Sequence, residues 1–369
     1  MIRIALAALA IAAPQAAAPA RVVEGSGRAF EAAEALFRSD PRWLGADAAL
    51  SIPLGPERTL WLFGDTFVAK TEARSRGESE MVRNTVAIQT GADPRSAKST
   101  FGWRRDADGT PASFFPESGA EWYWPGHGAR LGARGPLILF LFKLRGTPGE
   151  GLGFAHAGWA VAVVDDPDAP LDAWRPRIVD APALPFDAVP ATAVFVDGER
   201  VVALAIRQAG AHAGALVRYD AIRLARGDVS GTEWWSGSAW VPQGALGPAG
   251  PAFVLDDAGA ECSIHFDART RSWVHVASYG FGASTIGVRT APALTGPWSA
   301  PTTVYRPPES SGKKPFVYAA KAHPEIAGED PRDLVVTYAT NSFEFGDLFT
   351  PEGRRALYWP RCVAVRLEP

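Results

Sequence analysis

The chain has 369 residues, a formal net charge of −3 and no basic run, and this near-neutral balance argues against nucleic acid as a partner. Its 37 glycines, 31 prolines and 13 tryptophans favour an all-β architecture with a carbohydrate ligand, although tryptophan is also a good core residue in sheets. No Cys/His spacing resembles a zinc site, and the two cysteines, Cys262 and Cys362, are expected to be free and buried, with a disulfide as the alternative.

The N-terminal segment, MIRIALAALAIAAPQAAAPA, has one basic residue, then a short apolar run, then small residues. This order is the pattern of a secretory signal peptide over residues 1–20. The apolar run has about 10 residues, whereas a membrane-spanning helix needs about 20. We therefore predict an exported protein, periplasmic or extracellular, with no membrane span and with one mature domain over 21–369.

One amphipathic helix is predicted directly after this segment. In GRAFEAAEALFRSD, the side chains of Phe30, Ala33, Leu36 and Phe37 fall on one helical face, which indicates a short helix near 28–39. Beyond it, short apolar or alternating runs recur between Gly, Pro and Asp, as is typical of strands and turns. These runs include TLWLFGD, NTVAIQT, PLILFLFKLR and CVAVRLEP.

A weak internal repeat supports a propeller. Residues 159–179 and 284–305 both contain a strand-like run, a polar turn with proline, a tryptophan and a second apolar run. Such units recur at roughly 55 to 75 residues, which suits four-stranded blades with long loops. We predict an all-β, five-bladed β-propeller from residue 43 onward. Because CVAVRLEP looks like the same strand type as NTVAIQT, the C-terminal strand is expected to complete a blade begun at the N-terminus.

Two aspartates, Asp47 and Asp65, lie in or at the end of apolar runs on either side of the turn PLGPER. If the two runs form a hairpin, both carboxylates reach one end of it, where the inner strands of a propeller face a wet funnel. Paired carboxylates beside a cleft are the usual equipment of glycoside hydrolysis. The alternative for Asp65 is a turn residue in Gly-Asp-Thr. Turn chemistry explains Asp47 less well, since alanines flank it in a predicted strand.

Further candidates lie later in the chain. Glu261, at the start of ECSIHFD, is a candidate proton donor, with a solvated strand-edge residue as the alternative. Polar and aromatic side chains that could hydrogen-bond or stack on sugars, each with a structural role as its alternative, are Asn84, Trp122, Trp124, His127, His323 and Asn341. The sequence has neither a Gly-x-Ser-x-Gly elbow nor a Gly-x-x-x-x-Gly-Lys phosphate loop, which leaves serine-hydrolase and phosphate-cradle chemistry without support.

The segments WLGADAALSIPL, RTLWLFGDTFV and RNTVAI resemble the opening of a bacterial domain-of-unknown-function family of five-bladed β-propellers that includes secreted endo-D-arabinanases. The later runs ECSIHFD, WVHVASYGFGASTIGVRTAPALTGPWS and YAAKAHPEI resemble the same group. The resemblance implies that Asp47 and Asp65 are catalytic. The wider group of arabinanases, xylosidases and invertases adds an acid glutamate, for which Glu261 is the match. Related chains often have Asp where this chain has His127, so this chain departs from the family pattern at that position.

We therefore predict a secreted glycoside hydrolase that acts on a furanose-containing, arabinan-like polysaccharide or oligosaccharide. No cofactor is predicted, and the resemblance leaves open a calcium ion in the channel, as in some five-bladed glycosidases. The main alternative is a non-catalytic carbohydrate-binding propeller of the cell envelope. A third reading is a structural envelope protein whose propeller binds another protein.

Overall fold

The computed structural model describes residues 20–72, 74–147, 149, 153–280, 282, 284–312 and 314–369. The predicted signal peptide lies outside the described residues, apart from Ala20. In the described part of the chain, no helix is long and apolar enough to cross a membrane. The fold is all-β, with short helices in the connections.

The described chain begins with β1 (Arg21–Val22), β2 (Arg28–Ala29) and helix α1 (Glu31–Leu36). The helix is shorter than predicted because β2 pairs with the C-terminal strand, so the chain is extended until residue 29. The predicted apolar face is confirmed, since the side chains of Phe30, Ala33, Leu36 and Phe37 are all buried.

The next part of the chain builds one four-stranded sheet, β4-β5-β8-β9, and a smaller sheet, β3-β6-β7, beside it. A further two-stranded ribbon, β10-β11, follows. The strands are β3 (Trp43–Ala46), β4 (Leu50–Gly55), β5 (Arg58–Phe63), β6 (Thr66–Ala69), β7 (Ser79–Val82), β8 (Thr85–Thr90), β9 (Lys98–Gly102), β10 (Arg104–Arg105) and β11 (Pro111–Ala112).

Two more large sheets follow, in the orders β12-β13-β14-β15 and β16-β17-β18-β19-β20, and β21 also pairs with β18. Their strands are β12 (Glu121–Arg130), β13 (Leu137–Gly146), β14 (Phe154–Val164), β15 (Arg177–Asp180), β16 (Val189–Asp197), β17 (Arg200–Ile206), β18 (Gly214–Asp220), β19 (Glu233–Trp235), β20 (Trp240–Pro242) and β21 (Phe253–Leu255). Helix α2 (Ala221–Ala225) follows β18.

The last two large sheets have the orders β22-β23-β24-β25 and β26-β27-β28-β1, with β2 also on β28. Their strands are β22 (Cys262–Asp267), β23 (Ser272–Tyr279), β24 (Thr285–Ala291), β25 (Thr302–Tyr305), β26 (Pro315–His323), β27 (Asp333–Ser342) and β28 (Arg361–Glu368), with α3 (Pro351–Ala356) before β28. Single 3₁₀ turns lie at Arg76–Glu78, Leu171–Ala173, Gln243–Ala245, Pro308–Ser311 and Phe345–Phe349.

The first strand of each large sheet lies on the inside of the molecule. These inner strands, β4, β12, β16, β22 and β26, contact one another in that order, and β26 returns to β4 to complete a circle. The C-terminal strand β28 lies between β27 and the N-terminal strands, so the expected joining of the two chain ends in one sheet is confirmed. It is the third strand of its sheet, as β8 is of its own, which explains the likeness between the two sequences.

The hydrophobic core lies between neighbouring sheets, so a strand in the middle of a sheet is apolar on both faces. In β5, Leu60 and Leu62 pack towards the second sheet, while Trp61 and Phe63 pack towards α1 and the fifth sheet. This alternation follows from the two-residue period of a strand. Both cysteines are buried and free, as the sequence predicts.

Candidate active site

The two aspartates lie opposite each other where the hairpin β4–β5 ends. The N–H of Asp47 donates to the carbonyl of Asp65 at 2.8 Å, and the N–H of Gly64 donates to the carbonyl of Asp47 at 2.9 Å. The predicted hairpin is therefore correct. The prediction that Asp47 lies within a strand is wrong, because Asp47 lies in a bend between β3 and β4. Ala48, which follows it, has a φ of 56°, and this sharp turn separates the two strands.

Asp65 is held by two side chains from different elements. The indole N–H of Trp124 donates to its Oδ1 at 2.8 Å. The Arg83 guanidinium donates to its Oδ2 at 3.4 Å and also lies 4.3 Å from the ring centre of Trp122. Burial raises the pKa of Asp65 to about 6, and the Arg83 charge and the Trp124 hydrogen bond oppose a larger rise. The carboxyl group is therefore mostly ionised at neutral pH.

Asp47 has a less favourable environment for its charge. Its Oδ1 is buried, and none of the described residues donates a hydrogen bond to it. Burial, then the charge of Glu261, and to a smaller extent that of Asp65, raise the pKa of Asp47 to about 7. Hydrogen bonding from Tyr318 and the charge of Lys321 act in the opposite direction. Asp47 therefore keeps its proton to a higher pH than Asp65 does.

Glu261 joins this group from the fourth sheet, directly before β22. Its Oε1 accepts a hydrogen bond from the Lys321 ammonium of β26 at 3.2 Å. The Lys321 side chain is only 3% exposed, so its ammonium group is buried beside the carboxyl groups. The predicted residues Asp47, Asp65 and Glu261 thus belong to one electrostatic cluster.

Four residues of this cluster were not predicted from the sequence: Arg83, Tyr318, Lys321 and Tyr358. Two of them had a visible signal. Lys321 is a lone charge in the apolar strand run FVYAAKAH, and Arg83 directly precedes a predicted strand. Burial, together with the charges of both aspartates, raises the pKa of Tyr358, and no local pattern in the sequence marks this residue.

Two predicted sugar-binding residues have structural roles instead. The Asn84 amide is fully buried, donates to the carbonyls of Phe115 and Tyr123, and accepts from the N–H of Phe115. His323 is 1% exposed, and its nitrogens are bonded to the hydroxyls of Ser51 and Thr337 at 2.6 and 2.7 Å. Neither side chain is accessible to a sugar in this structure, because all its polar atoms are used inside the fold.

His127 also has a structural role, because its imidazole forms hydrogen bonds to two neighbouring strands. Its Nδ1 accepts from the N–H of Val194 at 2.9 Å, so its Nε2–H donates to the carbonyl of Ser51 at 3.0 Å. Burial lowers its pKa to about 4, which keeps the imidazole neutral. The glycines on either side have no room for a side chain, since a Cβ on Gly126 would lie 2.1 Å from the carbonyl oxygen of Ala191. The histidine therefore joins three inner strands rather than the acid cluster.

Two of the remaining predicted residues, Trp122 and Trp124, lie near Asp65. Trp122 and Trp124 contact Arg83 and Asp65, as described above, and Phe154 packs on Trp124 with ring centres 4.6 Å apart. Asn341 is partly exposed near the end of β27, opposite Phe316 of β26. The two tryptophans therefore border Asp65 and its arginine partner.

The structure has a cleft near Arg83 and a cavity among the inner strands. A cleft of about 880 Å³ begins beside Arg83, where its backbone N–H donates to the Ser113 hydroxyl and that hydroxyl donates to Glu117. A second cavity of about 420 Å³ is lined by the later residues of the inner strands and so lies towards the opposite mouth. Within the described ranges, no group of three His, Cys, Asp or Glu side chains is arranged to hold a metal ion.

A family model described as a domain of unknown function, DUF5005, matches residues 31–367. The chain belongs to the DUF5005 family. No curated protein matches the sequence of this DUF5005 chain significantly. The match covers all five inner strands and all three acids.

Solved structures share the fold of this DUF5005 chain at low sequence identity. A Bacteroides ovatus protein named as a candidate hydrolase is 16% identical over 92% of this chain and 90% of its own, with a TM-score of 0.71. An exo-β-1,3-galactanase of Phanerochaete chrysosporium, solved with galactose, is 12% identical over 87% of this chain and 60% of its own, with a TM-score of 0.50. The DUF5005 chain therefore has the propeller-like fold found in glycoside hydrolases.

Proposed function

We propose that this protein is an exported glycoside hydrolase that cleaves a furanose-containing, arabinan-like polysaccharide. The observation that carries the proposal is the convergence of carboxyl groups: the N–H of Asp47 donates to the carbonyl of Asp65, and the charge of Glu261 also acts on Asp47. Glycoside hydrolysis needs one carboxyl group that keeps a proton and one that has lost it. Export is supported by the N-terminal sequence pattern.

The roles follow from the neighbours of each acid. Asp65, with Arg83 and Trp124 on its oxygens, is the ionised partner and acts as base or nucleophile. Asp47, buried and repelled by Glu261, is the proton donor to the leaving oxygen. Glu261 is a supporting carboxylate that Lys321 holds in place. The negative charge of Glu261 keeps Asp47 protonated.

The five-bladed form of the propeller is part of the same proposal. It is supported by five large antiparallel sheets whose inner strands contact one another in a closed circle. In such a circle the starts of the inner strands lie at one mouth. Asp47 precedes β4 and Glu261 precedes β22, so both acids come from strand starts in different sheets.

The proposal is tested by measuring the release of reducing ends from a panel of furanoside polysaccharides that includes arabinan. We expect the wild-type protein to cleave at least one, and the double variant Asp47→Asn/Asp65→Asn to lose at least about 10²-fold in rate. Asp197→Asn is the matched control, because Asp197 is exposed at the end of β16. Polysaccharide binding without cleavage would instead support a carbohydrate-binding propeller and overturn the hydrolase proposal.

A further inference from the structure

Two arginines from different sheets meet on one backbone carbonyl. Nη2 of Arg104 and Nη1 of Arg175 both donate to the carbonyl oxygen of Trp174, at 2.6 and 2.9 Å. Arg104 belongs to β10, whereas Arg175 lies between β14 and β15. Burial and then the charge of Arg175 lower the pKa of Arg104, as expected for neighbouring cations. Two like charges this close repel each other, and an anion bound to both would offset that repulsion.

The surroundings of the two arginines hold them in position. The Arg104 guanidinium lies 4.5 Å from the ring centre of Phe114, and its Nε donates to the carbonyl of Phe114 at 3.4 Å. Nη1 of Arg175 also donates to the carbonyl of Asp172 at 2.7 Å. Trp174, whose carbonyl the arginines share, is only 1% exposed. Because a guanidinium has five N–H donors, each arginine keeps donors for a ligand.

Neither arginine has a carboxylate partner among the described residues. Three acids, Glu80, Asp106 and Glu117, line the same cleft as the arginines, but none lies within ion-pair distance of them. Glu80 instead pairs with Lys70 at 3.3 Å, and Glu117 accepts from the Ser113 hydroxyl at 2.9 Å. The charge of the arginine pair is therefore not neutralised by a contact within the described chain.

The cleft that the pair lines adjoins the residue that holds Asp65. This cleft has a volume of about 880 Å³. Ser113, in its lining, accepts from the backbone N–H of Arg83 at 2.9 Å, and the Arg83 guanidinium donates to Asp65. Val82, also in the lining, pairs with Thr66, which directly follows Asp65. A glycan bound at Asp65 is therefore next to the cleft.

We propose that this cleft binds an oxyanion carried by the glycan, a carboxylate or a phosphate ester, on Arg104 and Arg175. Guanidinium groups suit both anions, because their planar fork can offer parallel N–H donors to two oxygens. The inference rests on the proposed function for the identity of the ligand as a glycan. It adds that the preferred substrate carries acidic units near the bond to be cleaved.

The test measures binding by calorimetry, so that it does not depend on turnover. In the Asp65→Asn background, it compares three arabinofuranose oligosaccharides of equal length: one neutral, one ending in a carboxylate and one ending in a phosphate monoester. We expect at least one acidic oligosaccharide to bind about 10-fold more tightly than the neutral one at low salt. This preference should shrink as salt rises, because the cleft is open to solvent. The acid with the larger gain identifies the substituent.

Replacing either arginine should remove most of this preference. Arg175→Gln is the cleaner variant, because Arg175 is exposed, and Arg104→Gln should have the same effect. Arg134→Gln is the matched control, since Arg134 is exposed in the turn between β12 and β13, outside the cleft. If the arginines only hold the Trp174 carbonyl, both variants lower the melting temperature but keep the preference for acids. That result would overturn the proposal.

The remaining outcomes separate this inference from the hydrolase proposal. Equal affinity for neutral and acidic oligosaccharides, or no binding of any of them, would overturn the anion site. If the wild-type protein still cleaves arabinan in that case, the hydrolase stands without it. A preference for an acid that depends on both arginines, in a protein whose wild type cleaves no furanoside, would keep the anion site and reject the hydrolase.

Discussion

The backbone N–H of Asp47 donates to the carbonyl of Asp65 at 2.8 Å, yet the side chains of these two residues have different neighbours. Asp65 has a cation and an indole N–H on its oxygens, whereas Asp47 has a buried oxygen and the charge of Glu261 beside it. One hairpin thus positions two carboxyl groups that hold their protons to different pH values.

The first prediction is a narrow bell-shaped dependence of kcat/KM on pH. Activity needs Asp65 ionised and Asp47 protonated, so it falls as pH drops below about 6 and as pH rises above about 7. The groups that act on the pKa of Asp47 are Glu261, Asp65, Tyr318 and Lys321, and the wild-type profile includes the effects of all four. A rate that rises steadily from pH 5 to pH 9 would contradict these roles.

Replacing Arg83 should move one limb of that profile. Arg83→Gln removes the cation that favours ionised Asp65, so the pKa of Asp65 rises and the acidic limb moves up by about one pH unit. The limb assigned to Asp47 should move less, because Arg83 is not among its perturbing groups. Arg145→Gln is the control, since Arg145 pairs with Glu121 at an exposed position. If both limbs stay in place, Arg83 does not set the charge of Asp65.

Removing the charge of Asp47 should stabilise the protein above neutral pH. The folded protein holds this proton up to about pH 7, whereas an unfolded aspartate loses it near its ordinary value, so wild-type stability falls as pH rises between the two. We expect Asp47→Asn to gain about 1–3 kcal/mol at pH 8 and little at pH 4. Chemical denaturation at both pH values measures this, with Asp197→Asn as control, and equal effects at both would count against it.

Gly45 should not tolerate a side chain. It has a φ of 112°, and a Cβ would lie 2.2 Å from the carbonyl oxygen of Tyr358. Gly45→Ala should therefore cost about 3 kcal/mol or more of stability, by strain and displacement of Tyr358. Gly55→Ala, at the end of β4 with nothing within 4 Å of its Cβ, should be close to neutral. Thermal unfolding of the two variants compares them directly, and similar melting temperatures would contradict the close approach.

The local parts of this fold could be predicted from the sequence, because they depend on short-range patterns. The turn PLGPER joins two apolar runs, and β5 pairs with β4 as that pattern predicts. The chain ends share a sheet, as the likeness between β28 and β8 suggested. In both cases the two-residue period and the turn residues carry the information.

The long-range parts of the site could not be predicted in this way. Glu261 meets Lys321 across 60 positions of sequence, and no periodicity reports such a contact. Asn84 and His323 are polar residues within apolar stretches of sequence. Such a position fits a ligand contact and a buried hydrogen bond within the fold equally well. Only the partners of each polar atom separate these two roles.

The most direct test of the central claim compares Asp47→Asn and Asp65→Asn on arabinan and on a dinitrophenyl arabinofuranoside, whose leaving group needs no proton. The account predicts that both variants lose at least about 10²-fold in kcat/KM on arabinan. On the activated furanoside, Asp47→Asn should recover most of its rate, whereas Asp65→Asn should not. Wild-type rates for both variants on arabinan would contradict the account.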